Sequence, residues 1–234
     1  MERRKRNFQQ FLFLGFLLSL WSGSTPAQEE KVDPWKKDID AVVASEAANP
    51  PPKHAVLFIG SSSIRMWTTL ARDFPGVPVI NHGFGGSRIA DATRNVDRLV
   101  VPYVPDLVVL YAGDNDIAEG RTTEQTVGDF KDFVARVHRD LPKVPILFVS
   151  IKPSVARFAL WPRMRAGNEG ISAWAKTQRN VIYVDVASKM LDADGQPRPE
   201  LLLPDGLHMQ PAGYAIWVEA LNPWVKPHAV PQHK

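Results

Sequence analysis

Five short apolar runs punctuate the chain, at residues 55–59, 77–80, 107–111, 145–150 and 181–184. Runs this short and this continuously apolar suit strands buried on both faces; half-exposed strands would alternate instead. Between the runs, apolar residues recur at helical spacing over 64–70, 89–101, 123–139 and 161–177. A last helical segment, 211–220, opens on Pro211, a residue suited to a first helical turn. Upstream, 35–48 mixes apolar and charged residues at the same spacing and stops at Pro50-Pro51-Pro52, because consecutive prolines cannot continue a helix. Strands alternating with helices form a parallel sheet whose right-handed crossovers cover both faces. The expected fold is α/β: a three-layer α/β/α sandwich around a five-stranded parallel sheet.

The first 27 residues stand apart from this pattern. Arg3, Arg4, Lys5 and Arg6 precede an apolar run at 11–21, and Thr25-Pro26-Ala27 supplies small residues for cleavage after Ala27. That run is far shorter than the roughly 20 residues needed to span a bilayer. It has the length of a signal-peptide core, so export to the periplasm or the exterior is expected, with no stable membrane span after cleavage; an uncleaved anchor is the alternative. The chain has no cysteine, which excludes disulfides, a thiolate metal site, a cysteine nucleophile and a lipid-modified cysteine. The organisation reads as a signal peptide (1–27), a linker and helix (28–52), the main domain (53–225) and a tail (226–234).

Charge says little about partners once the leader is set aside. The chain carries 28 Lys and Arg against 25 Asp and Glu. Residues 1–27 hold four of the bases and one of the acids, so the rest is balanced at 24 of each. Nothing in that balance points to nucleic acid.

Sites in parallel sheets form beyond the carboxyl ends of the strands. Gly60-Ser61-Ser62-Ser63 follows the first run, Asn81-His82-Gly83-Phe84-Gly85-Gly86-Ser87 the second, and Gly113-Asp114-Asn115-Asp116 the third. Asp205-Gly206-Leu207-His208 precedes the last helix. A serine hydroxyl becomes nucleophilic when a base is within hydrogen-bond reach and the base is held by an acceptor. His208 is suited to be that base and Asp205 its orienting acid, three residues away. Acyl transfer also needs donors for a developing oxyanion. The backbone N–H groups of Gly86 and Ser62 and the side-chain amide of Asn115 can supply them. Three adjacent serines leave the nucleophile open on this ground alone.

These four groups resemble, in order, blocks of the SGNH (GDSL-like) hydrolases: Gly-Asp-Ser, the glycine-containing second block, Gly-x-Asn-Asp and Asp-x-x-His. The run around Phe58-Ile59-Gly60 and Asn81 to Gly86 is also similar to the catalytic subunits of platelet-activating-factor acetylhydrolase. The resemblance spans Gly60 to His208 and implies a flavodoxin-like hydrolase domain over 53–225. It implies a serine esterase that removes short acyl groups, acetyl above all, from a small-molecule or carbohydrate ester through an acyl-enzyme. It carries over Ser62 as nucleophile, Asp205 and His208 as acid and base, and Ser62, Gly86 and Asn115 as oxyanion donors, with no metal and no cofactor. Ser61 departs from the pattern, standing where the family has aspartate.

Other readings fit these residues less well. The α/β-hydrolase elbow Gly-x-Ser-x-Gly is absent, since Ile64 stands two residues after Ser62. The glycine-rich stretch 83–86 lacks the Lys-Ser/Thr ending of a P-loop. Asp114 and Asp116 read as cap or turn residues rather than metal ligands. His82 is the rival base, with a partly buried histidine hydrogen-bonded to backbone as its structural reading. Lys152-Pro153 and Trp161-Pro162-Arg163-Met164-Arg165 follow the fourth run and can wall the substrate site; Trp161 and Met164 fit a place in the core equally well. A non-catalytic carbohydrate- or lipid-binding protein and an acyltransferase are the alternative functions, and the sequence sets no oligomeric state.

Overall fold

The computed structural model describes residues 33–229. The signal segment, most of the linker after it and the end of the tail lie outside the described residues. The chain begins with helix α1 (Lys36–Ala48) and enters strand β1 (Val56–Gly60). Short helices α2 (Ser62–Arg65) and α3 (Leu70–Asp73) lead to β2 (Val79–Gly83). Helices α4 (Ile89–Arg94) and α5 (Val96–Leu99) precede β3 (Leu107–Tyr111), and α6 (Asp114–Ala118) and α7 (Thr123–Asp140) follow it. Then come β4 (Ile146–Val149), α8 (Trp161–Ala175), β5 (Val181–Val184) and α9 (Pro211–Val225). Among the described residues no helix is long and apolar enough to cross a membrane.

The five strands form one sheet in the order β2-β1-β3-β4-β5, every neighbouring pair parallel. This is the expected three-layer α/β sandwich. Side chains alternate along each strand. On β1 and β3, Leu57, Ile59, Val108 and Leu110 enter the layer built by α4, α7 and α8, while Val56, Phe58, Val109 and Tyr111 enter the layer built by α2, α3 and α9. Both faces are thus buried, which is why these runs are continuously apolar. In the second layer Phe58, Trp67, Phe74, Tyr214 and Trp217 form one aromatic cluster, with ring centroids 5.0–6.2 Å apart.

Some helices differ from the sequence reading, for local reasons. The 64–70 segment breaks after Arg65 because the Asn81 side-chain amide donates to Ile64 O at 2.8 Å and reaches Trp67 O. The 89–101 segment divides at Asn95, whose amide donates to Asp91 O at 3.0 Å; such side-chain bonds compete with the helix. Helix α6 has no counterpart among the helical spacings of the sequence. It begins after Gly113, whose φ of +116° only glycine adopts easily. Helix α9 runs past residue 220 to Val225 despite Pro223.

The chain reverses sheet direction between β1 and β3, and that switch point opens a crevice at their carboxyl ends. Gly60 closes β1 there with φ +138°, and a Cβ on it would sit 1.9 Å from Tyr111 O. The neighbouring strand's backbone therefore passes where any side chain would be. Gly60→Ala is expected to lower stability by about 3 kcal/mol, from backbone strain and the clash together. A urea denaturation midpoint close to wild type would contradict that.

Candidate active site

Ser62 is the first residue of α2, directly beyond β1, and is partly exposed. Its neighbours are not available in the same way. Ser61 is fully buried with an unpartnered hydroxyl, and Ser63 is buried, its carbonyl accepting from Tyr214 OH at 2.9 Å. Among the three serines, Ser62 is the one whose hydroxyl meets a histidine: Oγ lies 3.0 Å from His208 Nε2.

His208 and Asp205 share the tight loop before α9. Asp205 Oδ1 accepts the backbone N–H groups of Leu207 and His208 at 2.8 and 2.9 Å, which folds the loop back on itself. Asp205 Oδ2 lies 2.7 Å from His208 Nδ1. A carboxylate only accepts, so Nδ1 carries the proton and Nε2 presents its lone pair to Ser62. The His208 imidazole, with the two backbone N–H groups, lowers the Asp205 pKa to about 2. Asp205 is thus ionised throughout the pH range in which proteins are handled.

The loop has further supports. Gly206 O accepts from Ala156 N at 3.0 Å, and Leu207 O accepts from Lys152 Nζ at 2.7 Å. Lys152 is buried; burial pushes its pKa down, while Asp114 and Asp205 pull it back up. A buried amine needs such an acceptor as Leu207 O. Lys152 therefore sits beneath the loop rather than walling it, a role that nothing local in the sequence signals. Trp161 lines a separate cavity of about 430 Å³ with Tyr183 and Asp185, between α8 and β5, and Met164 is core.

Gly86 and Asn115 follow the carboxyl ends of β2 and β3. Gly86 is exposed, with φ +79° and open space where a Cβ would be, and its N–H finds no acceptor among the described residues. The Ser62 N–H, first in its helix, has no intrahelical partner. Asn115 is buried at the start of α6; its Nδ2 donates to Ser87 O at 3.0 Å and its Oδ1 accepts from Arg157 at 3.0 Å. Arg157 also pairs with Asp114 at 3.3 Å.

The remaining candidates are occupied structurally. His82 is buried, with Nδ1 on Leu99 O at 2.7 Å and Nε2 on Glu46 at 2.9 Å. Asp116 accepts from Ile89 N at 3.1 Å, and burial pushes its pKa up to about 7. Asp114 accepts from Asn115 N at 3.0 Å.

Solved structures share this architecture. A platelet activating factor candidate from Streptococcus pneumoniae is 22% identical with a TM-score of 0.72, covering 81% of this chain and 92% of its own. A GDSL-like lipase from Bacteroides thetaiotaomicron is 21% identical with a TM-score of 0.68, covering 81% and 98%. An acetylxylan esterase from Geobacillus stearothermophilus is 16% identical with a TM-score of 0.61, covering 74% and 94%. These identities establish the fold alone. No curated protein matches the chain in sequence. The family model for the GDSL-like lipase/acylhydrolases, however, matches residues 60–216, from the end of β1 into α9. A match over that span takes in every one of the four motif groups in order, and it places the chain in the GDSL-like lipase/acylhydrolase family, as a carboxylic ester hydrolase.

Proposed function

We propose that the protein is an exported serine esterase that removes short acyl groups, acetyl above all, from small-molecule or carbohydrate esters. The observation that carries this reading is the unbroken relay from Ser62 Oγ to His208 Nε2 and from His208 Nδ1 to Asp205, at 3.0 and 2.7 Å. His208 takes the hydroxyl proton as Oγ bonds to the ester carbonyl carbon. The carbonyl oxygen, now negative, lies against the N–H groups of Gly86, Ser62 and Asn115. His208 then passes its proton to the departing alkoxide, which leaves as the alcohol. Water, deprotonated by the same imidazole, attacks the acyl carbon; the bond to Oγ breaks, the acid leaves and His208 returns the proton to Ser62. None of these steps draws on a metal or cofactor.

The short-chain preference is supported by the acetylxylan esterase among the fold neighbours. A series of p-nitrophenyl esters from acetyl to palmitoyl tests it. The acetyl and butyryl esters are expected to give the highest kcat/KM; a maximum at long chains would overturn the preference.

The pH profile follows from the depressed Asp205 pKa. Because Asp205 keeps its charge as pH falls until about 2, it does not titrate across the acid limb. Asp205 is expected to contribute no ionisation to that limb. An ionisation on that limb that Asp205→Asn removes would contradict this.

A further inference from the structure

The three oxyanion donors share a feature that none of the motif groups contains. Each N–H belongs to an amide group, and the carbonyl of that same amide is held from behind. The Ser61 carbonyl, which shares its amide with the Ser62 N–H, accepts from Ile64 N and Arg65 N at 3.0 and 3.1 Å, both supplied by α2. The Gly85 carbonyl, which shares its amide with the Gly86 N–H, accepts from the Trp35 indole Nε1 at 2.8 Å. The Asn115 side-chain carbonyl accepts from Arg157 at 3.0 Å. An amide is planar, and in the trans form its N–H points away from its C=O; the described residues hold no cis peptide. Fixing the oxygen therefore aims the N–H.

We propose that Trp35 and Arg157 are positioning residues of the oxyanion site, each locking the direction of one donor amide through its carbonyl. The inference rests on the oxyanion roles given under Proposed function.

Both amides need such a lock. The 85–86 peptide lies between two glycines, so little else opposes its rotation. Trp35 lies outside the family match, at the start of α1. Its ring packs edge-on against Phe84 at 5.7 Å. Helix α1 is itself anchored by buried Ile39, by Asp40 on Arg98 at 2.5 Å, and by Glu46 on His82. Asn115 faces a different hazard, a side-chain flip that would turn oxygen toward the oxyanion. Arginine has donors only, so its contact selects Oδ1 and leaves Nδ2 facing away. Of the two Nδ2 hydrogens, Ser87 O takes one, and the other is left for substrate. A carbonyl that accepts a hydrogen bond also makes its own N–H a stronger donor.

The test compares wild type with W35F, R157M, R157K, N115A and N115A/R157M in steady-state hydrolysis of p-nitrophenyl acetate. W35F keeps a ring against Phe84 and removes the donor. R157K keeps a cation beside Asp114 and guards against misfolding of R157M. W35F is expected to lower kcat roughly 5- to 50-fold and R157M roughly 10- to 100-fold, less than or equal to outright loss of a donor, with KM within about twofold. R157K should recover part of the loss. Since Arg157 acts through Asn115, N115A/R157M should be no slower than N115A; a purely structural role would cost the same factor in both backgrounds. Wild-type kcat in W35F and R157M beside an impaired N115A would overturn the positioning alone. Wild-type kcat in N115A would overturn the oxyanion reading and the positioning with it.

Discussion

Ser62→Ala is expected to lower kcat for p-nitrophenyl acetate by roughly 10⁴-fold or more while the protein stays folded, because the hydroxyl makes one side-chain contact and carries no packing. The residual rate would be that of oxyanion donors acting on attacking water. The adjacent serines supply the control. Ser61 Oγ is buried without a partner, so Ser61→Ala removes an unsatisfied group and is expected to leave kcat near wild type and stability equal or slightly higher. A Ser62→Ala enzyme with wild-type kcat would show that the hydroxyl beside His208 is not the nucleophile.

His208→Ala is expected to be as damaging as loss of Ser62. Without the imidazole the serine keeps its proton, and the leaving alkoxide has no acid to protonate it. The two side chains act as one device, so their effects do not add: Ser62→Ala/His208→Ala should be no slower than either single variant. Multiplying losses in the double variant would mean that the residues serve separate steps. Steady-state rates of the three variants, measured with enough enzyme to resolve the residual activity, decide this.

The contrast between what the sequence displays and what it hides has a physical basis. Strands at 107–111 and 181–184 coincide with their apolar runs, because burial on both faces writes itself into composition. The pairing of Asp205 with His208 is legible because three residues suffice to fold one onto the other through local backbone bonds. Helix breaks at Met66 and Asn95 are less visible, since they depend on a single side chain outcompeting the helix for a carbonyl. The supports of the site are hidden altogether. Trp35 meets a residue 50 positions away, Arg157 one 42 away and Lys152 one 55 away. Nothing in the neighbourhood of those residues distinguishes them from any other Trp, Arg or Lys; only the closed sheet brings them behind the site. The departure at Ser61, by contrast, is visible in the sequence and lies outside the relay, because that side chain is buried and makes no hydrogen bond to His208.

The central claim is that Ser62 is a nucleophile activated by His208. Its most direct measurement is the reaction of the folded protein with a fluorophosphonate, followed by intact mass and peptide mapping. One phosphonyl group per chain, on Ser62, is the predicted result. An adduct on Ser61, Ser63 or another residue, or no adduct from a preparation that still hydrolyses p-nitrophenyl acetate, would contradict it.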